Sequence, residues 1–265
     1  MVGKLQDRHA LITGGNSGIG EATARLFAVE GARVSILARR EAEGNAVADS
    51  IERQGGGQAT FFRCDVTDKD AIKKAVTAAV RKYGPVHSLF NNAGGAMPGE
   101  FPRESVDAFV ATLDLNLVSA FNVTQAVWDH MLAAGGGAIV NMSSLAAVAG
   151  MSRAQRGAVP GIPNAGYGAS KAALEAFTRY IAGSGANVGI RANAVRPGLI
   201  LTPIQGRMPD GELVLGPYFD MTQLTPGPGY PEDVASTILF LSCDDSRFIN
   251  GQVINIDGGV AGKVS

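Results

Sequence analysis

Tyr167 and Lys171 stand four residues apart in the stretch GYGASKAAL, at the predicted start of a helix. Residues at this spacing share one helix face, so the ammonium group can lie beside the phenol. A nearby cation lowers the pKa of a phenol, which is normally about 10, and so equips it to exchange a proton with a substrate oxygen. The pair therefore fits acid–base chemistry at an alcohol or carbonyl. The alternative is a tyrosine and a lysine on a solvated surface, because both residue types are common.

The overall composition is that of a folded α/β chain. The 265 residues are 46% hydrophobic and include 35 glycines, so we expect one large domain over residues 1–265. A net charge of −1 argues against a nucleic-acid partner, which needs a strongly basic surface. Charges at Lys4, Asp7 and Arg8 precede any apolar run, and no apolar run approaches the roughly 20 residues of a membrane span. We therefore expect a cytoplasmic protein without a membrane partner.

The cysteines and histidines are scattered along the chain. Cys64 and Cys243 match no metal-ligand spacing, so reduced thiols are expected. His9, His87 and His130 are expected to be ordinary strand-edge or helix-surface residues. No metal site is predicted.

Short apolar runs alternate with longer helical patterns. Strands are predicted at 9–13, 32–37, 58–64, 87–91, 138–143, 189–195 and 252–256, and helices at 18–29, 41–54, 68–82, 105–133, 167–182 and 231–242. This alternation predicts a Rossmann-like, doubly wound parallel sheet of seven strands with helices on both faces. In such a sheet, ligands bind outside the carboxyl ends of the strands.

A glycine-rich turn, TGGNSGIG, follows the first predicted strand and precedes a helix. Glycines let the backbone turn sharply and approach a pyrophosphate, and the helix N-terminus attracts the anion. In this context the turn predicts a dinucleotide site, whereas a tight turn without a ligand is the alternative. The residues predicted to bind the dinucleotide here are Gly14, Asn16, Ser17, Gly18, Ile19 and Gly20.

Further segments follow in a characteristic order. They are CDVTD (64–68), NNAG (91–94), DLNLVSAF with Asn116, IVNMSS (139–144), YGASK (167–171), NAVRPGLILTP (193–203) and INGQVINIDGG (249–259). With the glycine-rich turn, this set resembles the short-chain dehydrogenase/reductase family over nearly the whole chain. The resemblance implies an NAD(P)-dependent oxidoreductase of alcohols and carbonyls. It also implies a homotetramer, with helices near 105–133 and 167–182 paired between subunits and the 249–259 segment at another interface.

The resemblance implies four catalytic residues. Tyr167 would exchange the proton, and Lys171 would tune it and hold the nicotinamide ribose. Asn116 would support a proton-relaying water, and Ser144 would hold the substrate oxygen. Ser143 is the alternative to Ser144, because strand alternation turns only one of the two toward the site.

The resemblance also implies further cofactor contacts along the sheet edge. Asp65 and Val66 follow the third predicted strand, where the family binds adenine. The small residues after the fourth strand would let the backbone lie against the cofactor, and the segment after the sixth would hold the carboxamide. The residues concerned are Asn91, Asn92, Ala93 and Gly94 after the fourth strand, and Pro197, Gly198, Ile200 and Thr202 after the sixth.

Arg39 and Arg40 follow the second predicted strand. Ala38 occupies the place where an NAD-preferring relative would carry Asp, and a guanidinium can pair with a 2′-phosphate. NADP(H) is therefore favoured, with NAD(H) possible. The alternative is a pair of solvated arginines at a helix start.

Two segments interrupt the alternation: an inserted loop at 152–163 and a candidate substrate loop at 203–231. Loops of such length are often functional. Arg153 or Arg156 in the first is a hypothetical contact to an acidic or carbonyl group of the substrate. The second offers apolar side chains that could line a substrate pocket or pack on their own domain: Met208, Leu213, Leu215, Tyr218, Phe219 and Met221. Besides an oxidoreductase, a non-catalytic nucleotide-binding regulator and a structural oligomer component remain alternatives.

Overall fold

The computed structural model describes residues 3–55, 57–150, 164–202 and 223–260. The strands are β1 (His9–Thr13), β2 (Arg33–Ala38), β3 (Gln58–Arg63), β4 (Ser88–Asn91), β5 (Gly137–Met142), β6 (Ile190–Pro197) and β7 (Val253–Ile256). The helices are α1 (Gly18–Val29), α2 (Glu41–Arg53), α3 (Lys69–Tyr83), α4 (Val106–Leu113), α5 (Ser119–Ala133), α6 (Ala165–Gly185) and α7 (Pro231–Ser242). Apart from the break between α4 and α5, every predicted boundary lies within three residues of these.

The seven strands form one parallel sheet in the order β3-β2-β1-β4-β5-β6-β7, which confirms the predicted fold class. Strands in such a sheet are covered on both faces, and all five residues of β1 are buried. One core layer packs α1 and α7 on the sheet through residues such as Phe27 and Ile238. The opposite layer packs α3, α5 and α6 through residues such as Ile72, Val127 and Ile181.

The strand order reverses between β1 and β4. β1 pairs with β2 on one side and with β4 on the other, so the chain segments that leave β1 and β4 diverge at their carboxyl ends. This is the switch point at which doubly wound sheets bind ligands. The glycine-rich turn leaves β1 and the NNAG segment leaves β4, so both lie at this point.

The predicted helix over 105–133 is not regular. A five-residue π-helical turn, Asp114–Val118, separates α4 from α5. At its centre, the Asn116 side chain donates to the carbonyls of Thr112 at 2.9 Å and Gly95 at 2.7 Å. A side chain that bonds to the preceding turn competes with the backbone ladder, and π-turns of this kind are frequent at functional sites. The prediction of an uninterrupted helix was wrong at this turn.

The outer face of the α4–α5 segment exposes several large apolar side chains. Val106–Ala133 spans 28 residues with a mean hydropathy of 1.3 in its most apolar window, which by length and composition alone would suffice to cross a membrane. Its inner face packs on the sheet, where Asn91 Nδ2 donates to Thr124 Oγ1 at 3.1 Å. Its outer face exposes Phe121 and Leu132. The helix is therefore a packing layer of the sheet that also presents an apolar surface.

His9 does not lie at a strand edge or surface as predicted; it is fully buried. Its Nε2 lies 2.8 Å from Ser35 Oγ and its Nδ1 2.8 Å from the Gly84 carbonyl oxygen. Burial lowers the pKa of the imidazole to about 4. His87 is half-buried and its Nδ1 accepts the His9 amide at 3.1 Å. His9 and His87 therefore connect the amino ends of β1 and β4, at the end of the sheet opposite the glycine-rich turn.

Lowering the pH from 8 to 5 is expected to reduce the free energy of unfolding by about 2 kcal/mol through His9 alone. The pKa of His9 is about 4 in the folded protein and near 6.5 when unfolded, so the unfolded chain binds more protons between these values. The contribution of His9 to the free energy of unfolding is therefore fully present above pH 6.5 and is lost as the pH falls toward 4. Urea unfolding at both pH values would measure this, with His9→Gln as the control. If His9→Gln showed the same pH dependence of stability as the wild type, His9 would not be its source.

Candidate active site

The turn after β1 has the geometry of a phosphate cradle. Gly14 and Gly18 have positive φ angles of 64° and 55°, which favour glycine. A Cβ on Gly20 would lie 2.3 Å from the Gly14 carbonyl oxygen, so a side chain there would not fit. Ser17 precedes α1, and its side chain makes no capping hydrogen bond to that helix. The turn and the first N–H groups of α1 therefore fit the pyrophosphate of a dinucleotide.

Thr13 ties this turn to the segment that leaves β4. Its Oγ1 accepts the amides of Asn92 and Ala93, each at 3.0 Å. In turn, Asn92 Nδ2 donates to the carbonyl oxygens of Thr13 and Gly14, also at 3.0 Å. Thr13 was missed as a site residue, although a hydroxyl at the end of an apolar strand before glycines is a visible signal. It fixes the two walls of the switch point relative to each other.

Of the two predicted arginines, Arg40 contacts the turn directly. Its Nη2 donates to Ser17 Oγ at 3.0 Å, and in the amide orientation that satisfies both polar atoms of Asn16, the Asn16 oxygen accepts from its Nη2 and Nε at 3.1 Å. Arg40 also pairs with Glu43 at 3.2 Å. Both arginines are exposed at the end of β2; Arg40 presents its cation at the cradle, whereas Arg39 acts on Asp65.

Asp65 and Val66 follow β3 at the same edge of the sheet. The Asp65 carboxylate accepts the Thr67 amide at 3.0 Å and the Thr67 hydroxyl at 2.8 Å. The Thr67 amide chiefly lowers the pKa of Asp65, and the positive charge of Arg39 adds to this effect. Val66 is buried. Asp65 thus also shapes the turn before α3.

At the end of β5, the two serines face different surroundings. Ser143 is buried, and its Oγ donates to Glu175 Oε1 at 2.6 Å. Ser144 is half-buried, and its Oγ accepts the Ala146 amide at 3.2 Å. The Ser144 hydroxyl also interacts with the Tyr167 phenol, where it acts to lower the phenol pKa. The structure therefore brings Ser144, rather than Ser143, to Tyr167.

Tyr167 and Lys171 share one face of the first turns of α6. Asn164 begins this helix, since its Oδ1 accepts the Tyr167 amide at 2.8 Å. Lys171 is only 2% exposed, its Nζ donates to the Met142 carbonyl at 2.7 Å, and this nitrogen lies 5.4 Å from the centre of the Tyr167 ring. The predicted pair is therefore assembled at the carboxyl end of β5.

The electrostatics of the pair differ from the expectation. Burial raises the pKa of Tyr167, and the Ser144 hydroxyl opposes this only in part. Burial also lowers the pKa of Lys171 to about 8. The expected lowering of the phenol pKa by Lys171 is thus not found among the protein's own groups, because desolvation dominates and the ammonium is directed at the Met142 carbonyl.

Asn116 lies beside this pair. It is 1% exposed, and its Oδ1 accepts the Gly95 amide at 3.0 Å. A Cβ on Gly94 would lie 2.5 Å from Asn116 Oδ1 and 3.2 Å from Lys171 Nζ, so Gly94 separates these two side chains with little space to spare. The Asn116 side chain thus holds the 94–95 segment in place. Its water-relaying role stays a prediction.

The segment after β6 lies across the glycine-rich turn. The Gly198 amide donates to the Ile256 carbonyl at 2.9 Å, which anchors the segment to the end of β7. Thr202 reaches Gly18, since a Cβ on that glycine would lie 3.4 Å from Thr202 Cγ2. Ile200 is buried. Pro197 through Thr202 are therefore placed to cover whatever binds the cradle.

The inserted loop and most of the candidate substrate loop lie outside the described residues. This applies to Arg153 and Arg156, and to Met208, Leu213, Leu215, Tyr218, Phe219 and Met221. Within the described ranges, no group of three or more His, Cys, Asp or Glu side chains could hold a metal ion. Cys64 and Cys243 are buried, free thiols, as predicted.

Comparisons with known proteins agree with this architecture. A family model described as enoyl-(acyl carrier protein) reductase matches residues 14–261. The 3-oxoacyl-[acyl-carrier-protein] reductase FabG of Thermotoga maritima is 37% identical over 97% of this chain and 99% of its own. The 2,5-dichloro-2,5-cyclohexadiene-1,4-diol dehydrogenase LinX of Sphingobium indicum is 36% identical over 98% of each chain.

A solved structure of a short-chain type dehydrogenase/reductase from Mycobacterium ulcerans superimposes with a TM-score of 0.87 at 30% identity, covering 98% of this chain and 91% of that one. The likeness therefore extends over the whole fold, including the cradle after β1 and the Tyr167–Lys171 helix. The chain belongs to the short-chain dehydrogenase/reductase family and is an NAD(P)-dependent oxidoreductase that acts on an alcohol or carbonyl carbon.

Proposed function

We propose that this enzyme transfers hydride between NADP(H) and a carbonyl or secondary-alcohol carbon, with Tyr167 as the general acid or base. The observation that carries the proposal is the meeting of Ser144, Tyr167 and Lys171 at the carboxyl end of β5, beside the cradle after β1. Bound NADP(H) would supply or accept the hydride. In the reductive direction, Tyr167 gives its phenolic proton to the substrate oxygen as the adjoining carbon gains hydride.

The raised pKa of Tyr167 suits the role of proton donor in the reductive half of the proposed reaction. A phenol that burial keeps protonated at neutral pH is ready to donate a proton. Ser144 is placed to hold the substrate oxygen beside the phenol, since its hydroxyl already interacts with Tyr167. Asn116 acts indirectly, by fixing the 94–95 segment against Lys171.

The cofactor is proposed to lie along the carboxyl ends of β1 to β6. The cradle would hold the pyrophosphate, and the positive φ angles and tight contacts of its glycines suit that role. Adenine would contact the residues that follow β3. The riboses would contact the residues that follow β4, together with Lys171. The carboxamide would contact the residues that follow β6. The residues proposed for these contacts are Gly14, Asn16, Ser17, Gly18, Ile19, Gly20, Asp65, Val66, Asn92, Ala93, Gly94, Tyr167, Lys171, Pro197, Gly198, Ile200 and Thr202.

A carbonyl panel tests the function. It would include a 3-oxoacyl thioester and a cyclic ketone, because the relatives are named for an acyl-carrier-protein thioester and a cyclic diol. We expect NADPH consumption with at least one carbonyl, measured beside NADPH binding by fluorescence. Binding of NADPH without consumption on the whole panel would favour the non-catalytic regulator.

We further propose NADP(H) as the preferred cofactor, with Arg39 and Arg40 contacting the 2′-phosphate. Arg39→Ala and Arg40→Ala are each expected to weaken NADPH binding about tenfold, because a charge-assisted hydrogen bond contributes roughly 1.5–3 kcal/mol. NADH, which lacks the 2′-phosphate, should lose less affinity than NADPH. Arg53→Ala, which removes an exposed arginine at the far end of α2, is the control. Equal losses for both cofactors would contradict a phosphate contact.

A homotetramer is proposed from the large apolar side chains exposed on the outer face of α5 and α6. Phe121 is 45% exposed there, and its ring lies 5.7 Å from that of Phe177. Phe248, which is 94% exposed just before the 249–259 segment, suits a second interface. Light scattering would test the assembly, and Phe121→Glu should dissociate it.

We also propose a single domain and a cytoplasmic location, which limited proteolysis and cell fractionation would test.

A further inference from the structure

A buried ion pair lies beneath the proposed active site and has no part in the proposed reaction. Arg196 Nε donates to Glu175 Oε1 at 2.9 Å, and Nη2 donates to Oε2 at 2.7 Å. The two side chains are 14% and 7% exposed. Ser143 Oγ donates to the same carboxylate at 2.6 Å, and Arg196 Nη1 donates to Asn255 Oδ1 at 2.8 Å. The pair therefore joins α6 to β5, β6 and β7 through directional bonds.

Each member of this network adjoins a segment of the proposed site. Ser143 immediately precedes Ser144. Glu175 lies one helical turn after Lys171 on α6, and Ser143 Oγ is also 3.4 Å from the Lys171 carbonyl oxygen. Arg196 immediately precedes the segment 197–202, which covers the cradle. The network thus connects the backbone of three functional segments that are distant in sequence.

We propose that Glu175 and Arg196 are positioning residues that hold Ser144, Lys171 and the segment 197–202 in one mutual arrangement. The proposal rests on the proposed function of these segments. A planar guanidinium paired with a carboxylate through two bonds fixes both distance and direction, which apolar packing does not. A buried ion pair adds little stability over a well-packed apolar pair. We therefore expect its main effect to be the fixed geometry of the segments that it joins.

The carboxylate and the guanidinium of the pair also balance each other's charge. Burial alone would raise the pKa of Glu175, but hydrogen bonds from Arg196 and Ser143 outweigh it and keep the carboxylate charged. Among the described residues, the other charged groups that act on the pair are Arg179 on Glu175 and Asp257 on Arg196. Removing one partner therefore leaves a single net charge whose sign depends on which partner is removed.

The first test compares kcat of Glu175→Gln and Arg196→Gln with that of the wild type. We expect losses of about 10- to 100-fold, because a displacement of about 1 Å at a reacting group can cost a hundredfold. Arg191→Gln is the matched control. Arg191 is a half-buried arginine at the opposite end of β6 that donates to the carbonyls of Ile249, Leu241 and Cys243. At equal folded fraction, this control should keep wild-type kcat.

The second test separates positioning of the reacting groups from general stabilisation. At equal folded fraction, we expect kcat to fall in both variants with little change in KM for the carbonyl, because displaced reacting groups lose transition-state stabilisation rather than ground-state binding. A loss confined to KM, or no loss, would contradict the proposal.

The third test needs no turnover. We expect faster amide hydrogen exchange at residues 198–202 and about fivefold weaker NADPH binding in both variants than in Arg191→Gln. If the wild type binds NADPH but reduces nothing, the proposed function fails while this test still decides on positioning. Exchange and binding equal to those of the Arg191→Gln control would overturn the positioning role, whatever the activity.

Discussion

Replacing Tyr167 with phenylalanine is expected to lower kcat about a thousandfold, because proton transfer by a positioned group contributes roughly 10²- to 10⁴-fold. The substitution removes only the phenolic hydroxyl. The ring can keep its place 5.4 Å from Lys171 Nζ, and the Asn164 contact to the backbone of residue 167 is unaffected. Affinity for NADPH should fall by a few-fold at most, because Lys171 and the cradle keep their proposed contacts to the cofactor. Initial rates at saturating NADPH and carbonyl would measure the loss.

Tyr180→Phe is the matched control for this experiment. Tyr180 lies on the same helix but is 76% exposed, so removal of its hydroxyl leaves the proposed site untouched. We expect its kcat to equal that of the wild type. If Tyr167→Phe kept more than about a tenth of the wild-type rate, water or another group would be supplying the proton, and the general acid would have to be reassigned.

The sheet and its helices were predictable because local patterns determine them. Continuous apolar runs mark strands buried on both faces, and the strand–turn–helix context gives the glycine spacing its meaning. The spacing of Tyr167 and Lys171 likewise needs only one helix face. These features depend on residues close in sequence, so their placement agrees with the prediction.

Features that depend on contacts between distant segments were not predictable. At the π-turn, Asn116 bonds not only to Thr112 in the preceding turn but also to Gly95, which lies 21 positions earlier in the chain. The burial of His9 requires Ser35 and Gly84 on neighbouring elements. No local pattern indicated that Arg40 would reach Ser17, and nothing linked Glu175 to Arg196. In each case a polar side chain takes its role from a tertiary partner.

Replacing Lys171 with methionine is expected to lower kcat by a factor of about 100 to 1,000, because the ammonium is proposed to hold the nicotinamide ribose and to stabilise the charge that develops on Tyr167 as its proton leaves. The same substitution should raise the free energy of unfolding at pH 7 by about 1–3 kcal/mol. Burial brings the pKa of Lys171 from 10.5 to about 8, so the folded state bears the cost of a buried ammonium at any pH below 8. Methionine fills a similar volume without that charge and loses one hydrogen bond to the Met142 carbonyl.

The two effects of this substitution have opposite signs, and that makes the experiment decisive. A residue kept for stability should destabilise the protein when it is replaced, whereas a residue kept for chemistry can carry a stability cost. Wild-type stability should rise as the pH increases from 8 to 10.5, where the folded protein releases the Lys171 proton first, and Lys171→Met should lack this rise. Lys73→Met, at an exposed position on α3, should change neither rate nor stability. If Lys171→Met were instead destabilised in urea and kept its rate, Lys171 would be a structural anchor for Met142, and proton transfer by Tyr167 would need another electrostatic partner.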